Sequence, residues 1–165
     1  MLVETARLFL FPSLMAFAAS SDLLTMTISN RISLALALGF LILATACGFT
    51  PQAVLWHMLA GLGVLAAGLA LFARRLIGGG DAKLAAVAAL WLGLDRLADF
   101  ALLSSLLGGA VTLAILAFRR MPLPTWLADQ VQALTLHQPD GGVPYGIALA
   151  AAALVIYPST SWMAF

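Results

Sequence analysis

The stretch Gly78-Gly79-Gly80-Asp81 interrupts a chain that otherwise consists mostly of long apolar segments. Consecutive glycines favour a break between helices and allow another backbone to approach closely. An ionisable side chain beside a membrane segment is costly to desolvate, so Asp81 is a candidate functional residue. The stretch therefore predicts a helix boundary with a carboxylate at the edge of an apolar bundle.

The composition around this stretch is that of an integral membrane protein. Of the 165 residues, 63% are hydrophobic and 9% are charged, and the mean hydropathy is +1.06. A soluble domain of this length does not bury so much apolar surface. The net charge of +1 is too small to indicate a nucleic-acid-binding protein. The single cysteine, Cys47, excludes an internal disulfide and a cysteine-based metal cluster.

Apolar segments predict an all-α polytopic bundle of about six transmembrane helices, forming one membrane-embedded domain over residues 1–165. We expect the first segment to be retained rather than cleaved as a signal peptide, because Glu4 precedes its core and no basic n-region is present. The fourth apolar core, at 84–94, is shorter than the roughly 20 residues of a span. Either Lys83 and Arg96 extend to the interfaces at its ends, or this segment crosses only partially. The predicted segments are 8–24, 32–49, 53–73, 82–94, 97–118 and 145–157.

Basic residues predict the orientation of the bundle. If six segments alternate, the connections one–two, three–four and five–six lie on one side, and the polar loop at 121–142 is the last of them. These connections carry Arg31, Arg74, Arg75, Lys83, Arg119 and Arg120, whereas the other side has Arg7 and Arg96. The positive-inside rule then places the three connections in the cytoplasm and both termini outside. Within the loop, 126–136 fits a short amphipathic helix on the membrane surface.

This orientation brings two distant acids to the same membrane face. Asp22 ends the first segment and Asp81 opens the fourth. Two neighbouring carboxyls cannot both ionise cheaply, so one retains a proton and the pair titrates as a unit. The charged partner can then activate a water while the protonated one donates to a substrate carbonyl, as in aspartic proteases. This chemistry needs no metal or other cofactor, and none is predicted.

The motifs around these acids resemble those of the type IV prepilin peptidases, membrane aspartic proteases of the Gly-x-Gly-Asp class. Gly78, Gly80 and Asp81 match the motif and Lys83 follows it, while Ser21-Asp22-Leu23 with Asn30 resembles the family's first catalytic region. The late segment Val143-Pro144-Tyr145-Gly146 is similar to one that precedes the last helix in the short Tad/Flp branch. Two departures are Ser29, where the family usually has proline, and the absence of basic residues between Leu23 and Ser29.

The resemblance implies a function and a site. Asp22 and Asp81 would be catalytic, and Gly78, Gly80, Lys83 and Asn30 would shape the site. The substrate would be a Flp-type prepilin, a hydrophobic helix with a basic leader, cleaved at the cytoplasmic face of the bacterial inner membrane. We expect no methyltransferase activity, because the Cys-rich domain of the long members is lacking. The implied partners are the prepilin and the lipid bilayer; no oligomeric state is predicted.

Structural explanations exist for each feature taken singly. Asp22 can be a solvated acid at a helix end, the glycine run a loop with an N-cap, and Asn30 a cap of the second helix or a residue that orients the Asp22 region. A different functional class also fits: a proton-coupled transporter, or a non-enzymatic subunit of a pilus assembly machine. The remaining polar and aromatic residues are interpreted as interfacial or loop residues: His57, Trp91, Asp95, Asp99, Trp126, Asp129, His137, Asp140 and Trp162.

Overall fold

The computed structural model describes residues 1–121, 136–138 and 141–163. Within these ranges the regular elements are all helices and there is no strand, as predicted. Most of the predicted surface helix at 126–136 lies outside the described residues, as do Trp126, Asp129 and Asp140. The main helices are α1 (Leu2–Thr25), α2 (Asn30–Ala46), α3 (Pro51–Ala73), α4 (Gly79–Leu92), α5 (Leu97–Arg120) and α6 (Gly146–Ile156), with short 3-10 turns at Leu94–Arg96, Tyr157–Ser159 and Ser161–Met163.

Only some of these helices have the length of a complete membrane span. In the described part of the chain, α1, α3 and α5 with its preceding 3-10 turn are long and apolar enough to cross a membrane. The other three, α2, α4 and α6, have 17, 14 and 11 residues and fall short of the roughly 20 that a span needs. The all-α membrane architecture is therefore confirmed, with three long helices and three shorter ones.

The shortest helices, α4 and α6, occupy the middle of the bundle. Helix α4 packs mainly on α3 and also on α2 and α6. Helix α6 packs on α1, α5 and α4. Both are rich in alanine, which lets neighbouring backbones approach closely. Their interior positions are buried, including Leu84, Ala88, Ala150 and Ala153, each 0% exposed. Neighbouring helices thus shield α4 and α6 from lipid along much of their length.

The glycine run begins α4 rather than preceding it. Gly78 is the N-cap, and Gly79 and Gly80 already belong to the helix, so α4 starts at 79 and not near 82. Close packing explains this. A Cβ built on Gly80 would lie 3.3 Å from the Ile28 Cβ, and one on Gly79 would lie 3.3 Å from a ring carbon of Phe72. Here glycine serves close packing.

An aromatic core lies at the end of the bundle opposite the glycine run. It contradicts the prediction that Trp91 and Trp162 are interfacial anchors. Both are fully buried, with ring centroids 4.8 Å apart. The Trp91 indole N–H donates to the Leu36 carbonyl (2.9 Å), and that of Trp162 donates to the Trp91 carbonyl (2.8 Å). Because each indole N–H has a backbone acceptor, burial leaves no donor unsatisfied.

His57 is also buried instead of lying at the interface. It is 8% exposed, and its Nδ1 lies 2.8 Å from the Leu90 carbonyl oxygen. Since a carbonyl only accepts, this contact fixes the proton on Nδ1. Gly93, with a φ of +76°, leaves room for the ring, because a Cβ there would lie 2.9 Å from the His57 Cε1.

Candidate active site

The ends of six helices converge at one end of the bundle. They are the C-terminal ends of α1, α3 and α5 and the N-terminal ends of α2, α4 and α6. Six of the eight Lys and Arg residues follow or begin these helix ends. The acids Asp95 and Asp99 lie at the other end, where both are exposed. The arrangement of charges along the bundle is therefore the one from which the orientation was predicted.

Asp22 and Asp81 line the same cavity at this basic end, although they are far apart in sequence. The cavity has a volume of about 610 Å³, and Met26, Arg75 and Tyr145 form part of its wall. The two acids also border a smaller cavity of about 280 Å³, beside Ile28 and the glycine run. The structure thus brings together the two acids that the sequence predicted to be paired.

Asp22 is held in the last turns of α1. Its side chain is 5% exposed, and its Oδ2 accepts a 2.8 Å hydrogen bond from the backbone N–H of Gly146, the first residue of α6. Met26 ends the helix in the left-handed conformation, with a φ of 53°, and its N–H donates to the Asp22 carbonyl (2.9 Å). The chain turns there toward α2, and Asp22 borders the main cavity near this end of α1.

Asp81 lies in the first turn of α4, outside the three helices that are long enough to span a membrane. Burial and, secondarily, the nearby charge of Asp22 raise the pKa of Asp81 from 3.8 to about 6, although a hydrogen bond from the Gly78 backbone lowers it. Like charges in one partly desolvated cavity disfavour double ionisation. The ionisations of the two carboxyls are therefore coupled, and the negative charge of one makes ionisation of the other harder.

Gly78 and Gly80 occupy different positions at this site. Gly78 borders both cavities, and a Cβ there would lie 2.9 Å from the Asp81 Oδ2, so a larger residue would displace the carboxyl. Gly80 borders only the smaller cavity, and Ile28 of the chain itself occupies the space beside it. The glycine run therefore shapes the surroundings of Asp81 mainly through internal packing.

Lys83 and Asn30 lie in a neighbouring groove and do not line the cavity of the acids. The Lys83 Nζ donates a 2.8 Å hydrogen bond to the Asn30 Oδ1, and both side chains are exposed. Together with Ser33 and Leu34 they border a groove of about 450 Å³. The cap of α2 is Ser29, whose side chain accepts from the Arg31 N–H, so the alternative in which Asn30 caps this helix is wrong.

The sequence interpretation missed three residues that contribute to the site. Arg75 and Tyr145 line the main cavity, and Gly146 supplies the hydrogen bond to Asp22. Tyr145 is anchored by α5, because its ring packs against Gly108 and its hydroxyl donates to the Ser104 carbonyl (3.3 Å). The segment around Tyr145 resembles a family motif, but nothing in its composition indicates contact with α1.

The site therefore provides two carboxyls whose ionisations are coupled and an open cavity between helix ends. These are the requirements for general acid–base activation of a water molecule. Among the residues that the structure describes, no group of three or more His, Cys, Asp or Glu side chains has a metal-binding arrangement.

Comparison with known proteins identifies the family. The protein-family model for the type IV leader peptidases matches residues 9–113, which is more than half of the chain and includes Asp22, Asp81 and the glycine run. No curated protein and no solved structure gives a significant match. The match ends before α6. This chain belongs to the type IV leader peptidase family, and its general activity is that of an aspartic-type leader peptidase.

Proposed function

We propose that this protein removes the basic leader of a Flp-type prepilin at the cytoplasmic face of the bacterial inner membrane, with Asp22 and Asp81 as its catalytic pair. The shared cavity is the observation that carries this proposal, because it joins two acids that are separated in sequence. The family supplies the general substrate class. The resemblance of Val143–Gly146 to the short Tad/Flp branch supports the Flp-type substrate.

The proposed reaction uses the pair as a general base and a general acid. The ionised carboxyl removes a proton from a water molecule, and the resulting hydroxide attacks the carbonyl carbon of the scissile peptide bond. The protonated carboxyl donates its proton to the carbonyl oxygen, which forms a neutral tetrahedral intermediate. When the C–N bond breaks, the carboxyl that acted as base gives its proton to the leaving amine. A hydroxyl of the intermediate gives its proton to the other carboxylate, which restores the starting state of the pair.

The charge distribution supports cleavage on the cytoplasmic side. Six of the eight basic residues lie at the end of the bundle that contains the acids. This is the side that the positive-inside rule assigns to the cytoplasm. An emerging prepilin has its basic leader on that side and its hydrophobic helix in the bilayer, so the bond between them would meet the membrane at the level of the cavity.

The decisive experiment measures cleavage of a synthetic prepilin by purified protein in lipid vesicles. We expect Asp22→Asn and Asp81→Asn each to lower the rate by at least about 100-fold, because an amide can neither activate water nor exchange a proton. The double variant should be little worse than either single one, because residues that act as a unit are not additive. All variants should insert and fold, since asparagine is close in size to aspartate.

Asp99→Asn is the matched control, because Asp99 is an exposed aspartate at the opposite end of the bundle. It should retain nearly the parental rate. Cleavage by Asp22→Asn or Asp81→Asn at the parental rate would refute the assignment of the pair. In that case, measuring proton flux in the same vesicles would test the transporter alternative.

A further inference from the structure

The hydrogen bond between Gly146 and Asp22 joins residues that are 124 positions apart. It is a buried contact of 2.8 Å between a backbone N–H at the start of α6 and a carboxylate oxygen near the end of α1. Gly146 lies beyond residues 9–113, the part of the chain that the family comparison covers. A residue outside that region thus touches one of the two proposed catalytic groups directly.

We propose that Gly146 is a positioning residue for cleavage: its N–H holds the Asp22 carboxylate in place opposite Asp81. This inference rests on the proposed function of the two acids and adds a third element, the start of α6, to the machinery. One oxygen of Asp22 is fixed by Gly146, and the other is left to act on water or to share the proton with Asp81.

The backbone of Gly146 is itself held rigidly. The preceding residue, Tyr145, packs its ring against Gly108 and donates its hydroxyl hydrogen bond to Ser104 of α5. The Tyr145 carbonyl accepts hydrogen bonds from the N–H groups of Ala148 (3.0 Å) and Leu149 (3.2 Å) in the first turn of α6. An N–H donor fixed in this way is pre-organised, so no reorganisation is needed during the reaction.

Steric constraints explain why residue 146 is a glycine. A Cβ there would lie 2.8 Å from the Asp22 Oδ2, 3.0 Å from its Cγ and 2.9 Å from the Ile28 Cδ1. The Ile28 contact involves the end of a flexible side chain, which can rotate away. The Asp22 carboxyl cannot withdraw without losing its hydrogen bond to the residue that displaces it. A side chain at 146 therefore affects the geometry of the acid more than the packing.

The bond also has an electrostatic consequence. An N–H donor stabilises an ionised carboxylate more than a protonated carboxyl, so its loss makes ionisation of the pair harder. The charged and titratable groups that border the cavity with Asp22 are Asp81 from α4, Arg75 from the turn after α3, and Tyr145 before α6. None of these is altered by a substitution at 146, so a change in the pH dependence of cleavage would report on the Gly146–Asp22 contact.

The first test is Gly146→Ala in the vesicle cleavage assay. We expect kcat to fall by at least about 10-fold with KM within about 2-fold, because small displacements of a catalytic group affect the reaction more than binding. The acidic limb of the pH–rate profile should move to higher pH. Gly109→Ala is the control, because Gly109 is a helical glycine with nothing within 4 Å of a Cβ. It should leave kcat, KM and the profile unchanged.

A double variant separates positioning from packing. Ile28→Ala combined with Gly146→Ala removes the clash with the Ile28 side chain but keeps the clash with the carboxyl. We expect it to remain as slow as Gly146→Ala. Recovery of the parental kcat in the double variant, or a parental kcat and pH profile in Gly146→Ala, would overturn the proposal. If Asp22→Asn and Asp81→Asn are inactive in the same assay, such a result overturns the role of Gly146 alone.

A measurement on the parental sequence does not depend on how these variants fold. The Gly146 amide can be followed by 15N–1H NMR of the isotope-labelled protein in detergent micelles across the pH range in which cleavage varies. Its proton resonance should move downfield as the acid pair ionises, and Asp22→Asn should abolish this shift. An amide resonance that does not respond to pH in the parental protein would overturn the proposal.

Discussion

Lys83 and Asn30 tie the second turn of α4 to the start of α2 through a 2.8 Å hydrogen bond. Asp81 precedes Lys83 by two residues, and positions two apart on a helix face different directions. The acid consequently borders the cavity that it shares with Asp22, whereas the lysine borders the adjacent groove. The short motif that begins α4 therefore contributes to two separate surfaces.

This separation predicts a mild effect of changing Lys83. We expect Lys83→Met to lower cleavage by less than about 10-fold, far less than a change of either proposed catalytic acid. The free energy of unfolding should fall by less than about 1 kcal/mol, because hydrogen bonds and ion pairs of exposed side chains contribute little. A double-mutant cycle with Asn30→Ala should give a coupling energy of similar size. Loss of cleavage as complete as in Asp81→Asn would show that Lys83 acts on the reaction.

The orientation of the bundle can be tested with single cysteines in a Cys47→Ser background. Arg120→Cys places an exposed thiol at the basic end, and Asp95→Cys places one at the opposite end. In intact spheroplasts, an impermeant thiol reagent should label residue 95 and leave residue 120 unlabelled, because the positive-inside rule places Arg120 in the cytoplasm. Both should react once the membrane is permeabilised. The reverse pattern would place the acids on the outer face.

The raised pKa of Asp81 predicts how stability depends on pH. Folding favours its protonated form, because the pKa rises from 3.8 to about 6. The resulting stabilisation is complete below pH 3.8 and is lost as the pH rises through about 6. Thermal unfolding in detergent should therefore show a melting temperature that declines over this interval, and Asp81→Asn should remove much of the decline. Asp22→Asn should move the decline in melting temperature to lower pH, because the charge of Asp22 contributes to the raised pKa of Asp81.

The same titration predicts the alkaline limb of the cleavage profile. In the proposed mechanism the pair is active when it holds one proton, so the rate should fall as the pH rises above about 6, with a limiting slope of about tenfold per pH unit. The rate of prepilin cleavage in vesicles buffered between pH 5 and 8 measures this limb. A rate that stays constant across this range would contradict a proton shared by Asp22 and Asp81.

The sequence predicted the helices well, because long apolar runs report membrane segments directly. It also predicted that Asp22 and Asp81 share one face, since alternation of the helices and the distribution of basic residues determine that relationship. Hydropathy did not reveal that α4 and α6 are interior helices, because a short apolar run looks the same beside lipid and beside protein. Their burial follows from packing against α1, α3 and α5.

Trp91, Trp162 and Gly146 show where sequence reasoning fails. Tryptophan is common at membrane interfaces, so its residue type predicts an interfacial position, whereas backbone carbonyls satisfy both N–H groups within the core. The hydrogen bond of Gly146 comes from its backbone, and a backbone contact has no residue-type signature. Such contacts depend on how the helices meet, which no local pattern in the sequence records.

The contact between Gly108 and Tyr145 leads to a last prediction, with an adjacent residue as its control. The Tyr145 ring occupies the space that a side chain at 108 would need, whereas a Cβ at Gly109 meets nothing within 4 Å. Both glycines lie within α5, where alanine is intrinsically the better helix former by about 1 kcal/mol. Gly109→Ala should therefore be neutral or stabilising, but Gly108→Ala must expel the ring and should destabilise by about 1–3 kcal/mol.

The consequence for the site distinguishes this effect from a general loss of packing. Expelling the ring breaks the hydrogen bond from Tyr145 to the Ser104 carbonyl and loosens the start of α6, which holds Asp22 through Gly146. Gly108→Ala should thus slow prepilin cleavage as well as lower the melting temperature, and Gly109→Ala should do neither. Combining Tyr145→Ala with Gly108→Ala removes the clash between the ring and residue 108. Relative to Gly108→Ala, this double variant should recover less activity than stability, because the hydrogen bond from Tyr145 to Ser104 is still lost. If Gly108→Ala cleaves prepilin at the parental rate, the start of α6 does not depend on Tyr145 for its position.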